Sequence, residues 1–232
     1  MREIVLDTET TGMDPSTGDR LVEIGCVELM NHVPTGKHLH LYLNPEREVP
    51  AEAVAVHGLT YDFLKKQPTF SEVVDQFINF IGEDVLVIHN AEFDMKFLNA
   101  ELRTLGFPAL QMRRVIDTVQ MARRKFPGSP ASLDALCRRF GIDASERTLH
   151  GALLDSELLA AVYLELLGGR QHGLTLDTPP LKSVAQEPGV IAHDSKLPRP
   201  LRVFSASPEE EAAHAAMVDK LKDPIWKKTG NA

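Results

Sequence analysis

The sequence is short of the residues that mark several common protein classes. Only two cysteines occur among 232 residues, Cys26 and Cys137, far apart and without CxxC spacing. Both fall inside apolar patterns, which excludes a disulfide-stapled scaffold and leaves two reduced core thiols of a cytoplasmic protein. No apolar run approaches the ~18 residues needed to cross a bilayer, so no membrane partner is expected. A strand-like run opening at Ile4 leaves no room for the charged, apolar and cleavage regions of a signal peptide. Positive charge is also scarce, with 25 Lys and Arg against 33 Asp and Glu and a net charge of −8. A protein that coats duplex DNA by counterion release needs a basic surface, so that class is excluded. An enzyme that grips a few terminal nucleotides is not. The deficit is uneven: residues 103–147 hold nine basic residues against four acidic ones. That segment is either a solvated helical face or a phosphate-steering rim around an acidic site.

What is present fits a globular protein, with 43% hydrophobic and 25% charged residues. The length suits one full-sized domain with an appendage, or two small domains. Residues 3–9 form a β-branched run ending in polar residues, which places chemistry at the C-terminal end of a strand. Residues 21–29 and 38–43 read as two further strands, separated by Gly-, Pro- and Asn-containing turns, so a three-strand meander is expected. The spacing of Val73, Val74, Phe77, Ile78 and Ile81 predicts an amphipathic helix over 70–81. The run VLVI at 85–88 has the continuous apolarity of a buried parallel strand. A helix over 91–105 stops at Gly106, and a last strand is expected at 115–118. Helices follow at 118–125, at 132–140 with Ser132 as cap, and at 149–167 before Gly168 and Gly169. Three antiparallel strands followed by strand–helix alternation give an α/β fold, a mixed sheet flanked by helices.

Composition changes after Gly169. Seven of the 15 prolines lie in 171–232, and 171–200 contains no aromatic residue, which predicts an extended linker. Leu201, Val203 and Phe204 are strand-like, and Pro208 with Glu209, Glu210 and Glu211 starts an alanine-rich helical stretch reaching about Lys222. Ile225 and Trp226 follow. Such a patch on a tether is too small to fold alone and reads as a docking element.

Three segments carry chemistry. In LDTETTG, Asp7 and Glu9 share one face of a strand, because side chains alternate with period two. Adjacent carboxylates repel unless a cation neutralises them, and hard oxygen donors without cysteine favour Mg²⁺ or Mn²⁺. A plain strand end at the surface would show the same pattern. In IHNAEFD, Asp94 falls in the first turn of a helix that follows a buried strand, where α/β proteins build their sites. The helix dipole alone would also account for an acid there. In HGALLD, His150 precedes a long helix and Asp155 sits within it, which suits a mobile general base beside a fixed carboxylate. A capping histidine and a surface aspartate are the plainer account.

Taken together, DTETTG, HNAEFD and HGALLD resemble the three motifs of the DEDDh 3′→5′ exonuclease superfamily, over roughly residues 3–168. Within it the resemblance is to the epsilon proofreading subunits of bacterial DNA polymerase III. Val56-His57-Gly58, residues 132–137 (SLDALC) and residues 147–151 (RTLHG) add to it. The resemblance implies a ribonuclease H-like five-stranded sheet, three strands antiparallel and then two parallel. It implies two divalent cations, with Asp7 bridging them, Glu9 and Asp155 completing the shell of one and Asp94 holding the other, and His150 as general base. It also implies that Glu52 and His57, together with Asp7, Glu9 and Asp155, contact the terminal nucleotide of a single-stranded or frayed DNA 3′ end.

The tail adds two expected contacts. Gln171, Leu174 and Leu176 have the polar-anchor and apolar spacing of peptides that dock in sliding-clamp grooves. Residues 201–228 match the region with which the family holds the polymerase alpha subunit. The expected organisation is an exonuclease domain at 1–170, clamp motif and linker at 171–200, and polymerase-docking segment at 201–232. A stand-alone RNA exonuclease of the same superfamily, or a scaffold with a relic site, are the alternatives. The tethered tail argues against the first and the intact site residues against the second.

Overall fold

A computed structural model of the protein describes residues 1–145, 147–169 and 206–222. Two compact units divide the chain, Met1–Leu176 and Asp177–Ala232.

The first unit is built on strands β1 (Arg2–Thr10), β2 (Leu21–Met30) and β3 (Val33–Tyr42). Two short helices follow, α1 (Ala51–His57) and α2 (Tyr61–Leu64), and then α3 (Phe70–Ile81), β4 (Val85–Ile88) and α4 (Ala91–Thr104). Strand β5 (Val115–Asp117) leads into α5 (Thr118–Lys125), α6 (Leu133–Phe140) and α7 (Ala152–Leu167). The sheet order is β3-β2-β1-β4-β5, with β1–β2 and β2–β3 antiparallel and β1–β4 and β4–β5 parallel. This is the mixed five-stranded sheet expected from the sequence.

Two cores lie on opposite faces of the sheet. Even positions of β1 (Ile4, Leu6) pack with Val74 and Phe77 of α3 and with Met95, Phe97 and Leu98 of α4. Val5, from an odd position, packs with Val27, Leu136 of α6 and Leu159, Val162 and Tyr163 of α7. Buried aliphatic and aromatic side chains of this size each contribute about 1.5–3 kcal/mol when withdrawn from water.

Several elements differ from expectation. Strand β3 begins at Val33 rather than residue 38, because Asn31 and His32 both take left-handed backbone conformations (φ 52° and 67°) and make a two-residue hairpin that pairs Met30 with Val33. Pro34, Gly36 and Lys37 hid this start, and on an edge strand such residues discourage pairing with another chain. Helix α7 begins at Ala152 rather than 149: Arg147 and His150 are tied into the preceding loop by hydrogen bonds to other elements. Thr118 opens α5 instead of ending β5, because Asp117 caps that helix by accepting from the Val119 amide. Helices α1 and α2 were not anticipated.

In the second unit, α8 (Pro208–Asp219) starts from a capping box in which Ser207 and Glu210 bond reciprocally. The linker at 171–200, the proposed clamp residues Gln171, Leu174 and Leu176, and the 201–205 and 223–232 flanks lie outside the described residues.

Candidate active site

Strand β1 outruns its parallel neighbour. Leu6 pairs with Ile88, the last residue of β4, so residues 7–10 have β2 on one side and no strand on the other. The chain leaves β4 through His89 and Asn90, and Asn90 adopts a left-handed conformation (φ 66°) before α4 begins. This turn places the first turn of α4 against the free side of β1. Asp94 is thereby buried at the strand end, where the Thr8 hydroxyl donates to its Oδ1 at 2.8 Å.

The other wall comes from α7, whose first turn lies directly on β2. Asp7 pairs across the sheet with Gly25. A Cβ at Gly25 would stand 2.2 Å from the carbonyl carbon and oxygen of Ala152, so only glycine admits the helix at this distance. The Ser156 hydroxyl donates to the Gly25 carbonyl at 3.0 Å and fixes the seat. Asp155, one residue earlier in α7, is buried facing the carboxylates of β1.

Asp7, Glu9, Asp94, His150 and Asp155 line a single cleft of about 750 Å³, together with Thr8, His89, Asn90, Phe93, Arg123 and Arg147. One ligand atom each from Glu9, His150 and Asp155 fall within 4.8 Å of one another. His150 is exposed, with Nδ1 3.8 Å from Asp155 Oδ2, and its amide donates to the Val56 carbonyl at 3.1 Å. The ring is therefore exposed to solvent on an anchored backbone.

Crowding of like charge dominates the electrostatics. Burial, then repulsion from Asp94, Glu9 and Asp155, holds the Asp7 carboxyl well above the usual range. Burial and the neighbouring Glu23 push Glu9 up to about 8. Burial likewise lifts Asp94 to about 7, against the lowering effect of its Thr8 hydrogen bond. Added positive charge would relieve the burial and crowding that hold Asp7, Glu9 and Asp94 above their ordinary range. Its donors are carboxylate oxygens with one nearby imidazole and no thiolate, which fits a hard divalent cation.

Neither of the other two residues expected to meet the terminal nucleotide, His57 and Glu52, is among the residues that line the cleft. His57 is buried, its Nδ1 accepts from the Leu59 amide at 3.0 Å, and its Nε2 has no well-formed hydrogen bond, although the Thr10 backbone lies beside it. With Nδ1 accepting, Nε2 carries the proton, and the Thr10 backbone is the polar group beside it. Glu52 is exposed on the first turn of α1 and does not line the cleft.

The basic excess of 103–147 resolves into separate jobs. Arg123 and Arg147 line the cleft. Arg114 donates to the carbonyls of Asp84, Ile81 and Gly82, Lys125 donates to the end of α7, and Arg139 lies over the Phe126 ring. Thr8, Glu23, His89 and Arg147 had no assigned role from sequence. Arg147 carried a signal as part of the RTLHG segment that supports the family resemblance; alternation turns Thr8 away from Asp7 and Glu9, toward α4.

The exonuclease family model matches residues 4–163. DNA polymerase III subunit epsilon of Rickettsia prowazekii (strain Madrid E) is 46% identical over 226 residues, covering 95% of this chain and 97% of the relative. The subunit of the same name from Escherichia coli (strain K12) is 44% identical over 231 residues, covering 95% and 93%. The chain belongs to the exonuclease family of DNA polymerase III epsilon subunits.

Solved structures agree on the exonuclease fold. Exonuclease X in complex with 5′ overhanging duplex DNA superposes with a TM-score of 0.57 at 25% identity, covering 71% of this chain and 90% of that one. The nuclease domain of 3′hExo, a DEDDh family member bound to rAMP, gives 0.62 at 20% identity, covering 72% and 91%. Exonucleases of this family use divalent metals, and the donor set of the cleft fits one. No described helix of this exonuclease is long and apolar enough to cross a membrane.

Proposed function

We propose that this epsilon-family 3′→5′ exonuclease trims DNA 3′ ends with two divalent cations, Mg²⁺ or Mn²⁺, held by Asp7, Glu9, Asp94 and Asp155. The observation that carries the reading is the convergence of these four carboxylates and His150 in one cleft from β1, α4, α7 and the loop before α7. By the motif resemblance Asp7 would serve both ions, with Glu9 and Asp155 on one and Asp94 on the other, and the mutual repulsion of Asp7 with Asp94, Glu9 and Asp155 supports that reading. Bound there, the cations would supply a nucleophile at neutral pH and charge neutralisation at the leaving 3′-oxygen. His150 accepts the proton of the attacking water, which its exposed ring can reach from the cleft. The products are a nucleoside 5′-monophosphate and a strand shorter by one nucleotide.

Asp7, Glu9 and Asp155 also face the terminal nucleotide, and His57 supports it by donating from Nε2 to a sugar or phosphate oxygen. The motif resemblance alone assigns Glu52 to the same nucleotide. Discrimination rests on fraying: a mismatched end unpairs at lower cost and enters the cleft more often. Residues 1–170 form the exonuclease domain. Gln171, Leu174 and Leu176 dock in a sliding clamp, 171–200 is the tether, and 201–232 binds the polymerase alpha subunit.

Asp7→Ala tests the core of this reading on single-stranded DNA. Loss of at least ~10³-fold in turnover is expected, together with abolition of parent activity by chelator and recovery with Mg²⁺ or Mn²⁺. Parent-level, metal-dependent activity in the variant would remove the metal assignment.

A further inference from the structure

Arg147 donates from all three of its guanidinium nitrogens to carboxylates on two different helices. Its side chain is only 9% exposed, yet it carries a full charge. Nε and Nη2 donate to Oδ1 and Oδ2 of Asp155 at 2.5 and 2.7 Å, and Nη1 donates to Asp134 Oδ1 at 2.6 Å. Among the described residues no other lysine or arginine pairs with Asp7, Glu9, Asp94 or Asp155. The planar guanidinium thus joins α6, which carries Asp134, to α7, which carries Asp155, and does so from the loop that also carries His150.

We infer that Arg147, braced by Asp134, is a positioning residue that sets the orientation of the Asp155 carboxylate and pins the loop bearing His150. A carboxylate gripped on both oxygens by a fixed fork loses rotation about its last torsion. A point charge would attract the group without orienting it. Asp155 is then presented to a cation in one pose, and partners of this kind behind a metal ligand affect affinity strongly. The loop gains as well: with Arg147 held at one end and the His150 amide on Val56 at the other, His150 can swing only its ring.

The inference rests on Asp155 being a metal ligand, and it makes an unusual prediction of sign. Removing a positive charge beside four acids would by Coulomb attraction alone tighten cation binding. Weaker binding runs against that direct repulsion and points to lost orientation, and the titration is made at pH 8 and above, where proton competition by the acids is smallest. Mn²⁺ is titrated calorimetrically into the full-length protein without DNA, for the parent and for Arg147→Gln, with folding checked by circular dichroism. A dissociation constant raised by ~10-fold or more is expected in Arg147→Gln. Arg147→Lys, which keeps the charge and loses the fork, should recover part of the affinity, with a constant about 3-fold above the parent.

Unchanged or tighter Mn²⁺ binding in folded Arg147→Gln overturns the inference. Should that variant fail to fold, Asp134→Asn reads the same brace from its other end, and parent affinity there overturns it equally. Asp155→Asn separates the two layers of the argument. If it too binds Mn²⁺ as the parent does, the metal assignment has failed; if it alone loses binding, only the role of Arg147 has.

Discussion

Glu9 sits where burial and Glu23, Asp155 and Asp94 all oppose its charge, and the result is a carboxyl lifted to about 8 from an ordinary 4.5. A carboxyl raised on folding contributes stability that is fully present below its unfolded value and lost as pH rises through its folded one. In chelator the protein should therefore lose thermal stability between about pH 4.5 and 8, and Asp94 and Asp7 act in the same direction. Glu9→Gln should raise the chelated melting temperature at pH 8 by at least ~3 °C and leave it nearly unchanged at pH 4.5. Scanning fluorimetry across pH would show it, and a flat parent profile would mean the acids are not under strain. His150→Ala is the complementary case. It should cost ~10²–10⁴ in single-turnover rate while Mn²⁺ still binds, and loss of Mn²⁺ binding would instead make His150 a ligand with Glu9 and Asp155. These residues were legible in the sequence because local rules place them, namely alternation on β1 and the helix starts of α4 and α7. The roles of Arg147 and Glu23 were not, since they come from partners that only the assembled fold brings near.

Local signals likewise set most elements. Ser132 caps α6, Thr69 and Glu72 form a capping box on α3, and the apolar run of β4 is bounded where the sequence bounds it. Helices α1 and α2 span seven and four residues, too short to show a periodicity. The seating of α7 was hidden for another reason: a glycine inside a strand pattern gives no hint of what approaches it. Gly25→Ala should force α7 off β2 and move Asp155 from the acids of β1. Activity should fall by ~10²-fold or more, since even a ~1 Å misplacement of a reacting group is costly. Ser156→Ala, which removes one hydrogen bond and no space, should cost only ~1 kcal/mol of stability. Chemical denaturation alongside single-stranded DNA digestion separates the two effects, and full activity in Gly25→Ala would show that the helix can be seated elsewhere.

At the scale of the molecule, every proposed catalytic residue precedes the last described residue of the first unit. A chain ending at Gly169 should fold, digest single-stranded DNA at close to the parent rate, and lose binding to both the sliding clamp and the polymerase alpha subunit. Pull-down with each purified partner and a turnover assay would decide it. Retained clamp binding would place that contact within 1–169 rather than at Gln171, Leu174 and Leu176.

Asp94 rides on a helix packed into one core and Asp155 on a helix packed into the other, with β1 as their common frame. On the proposed metal assignment the cleft works as a coincidence detector: cutting would require both layers to be in place at once, and slackening of either one would disarm it. For an enzyme that destroys DNA ends this is a safe mode of failure. A half-assembled copy, fresh from synthesis or damaged by heat, would hold an incomplete set of acids and is expected to leave 3′ ends alone.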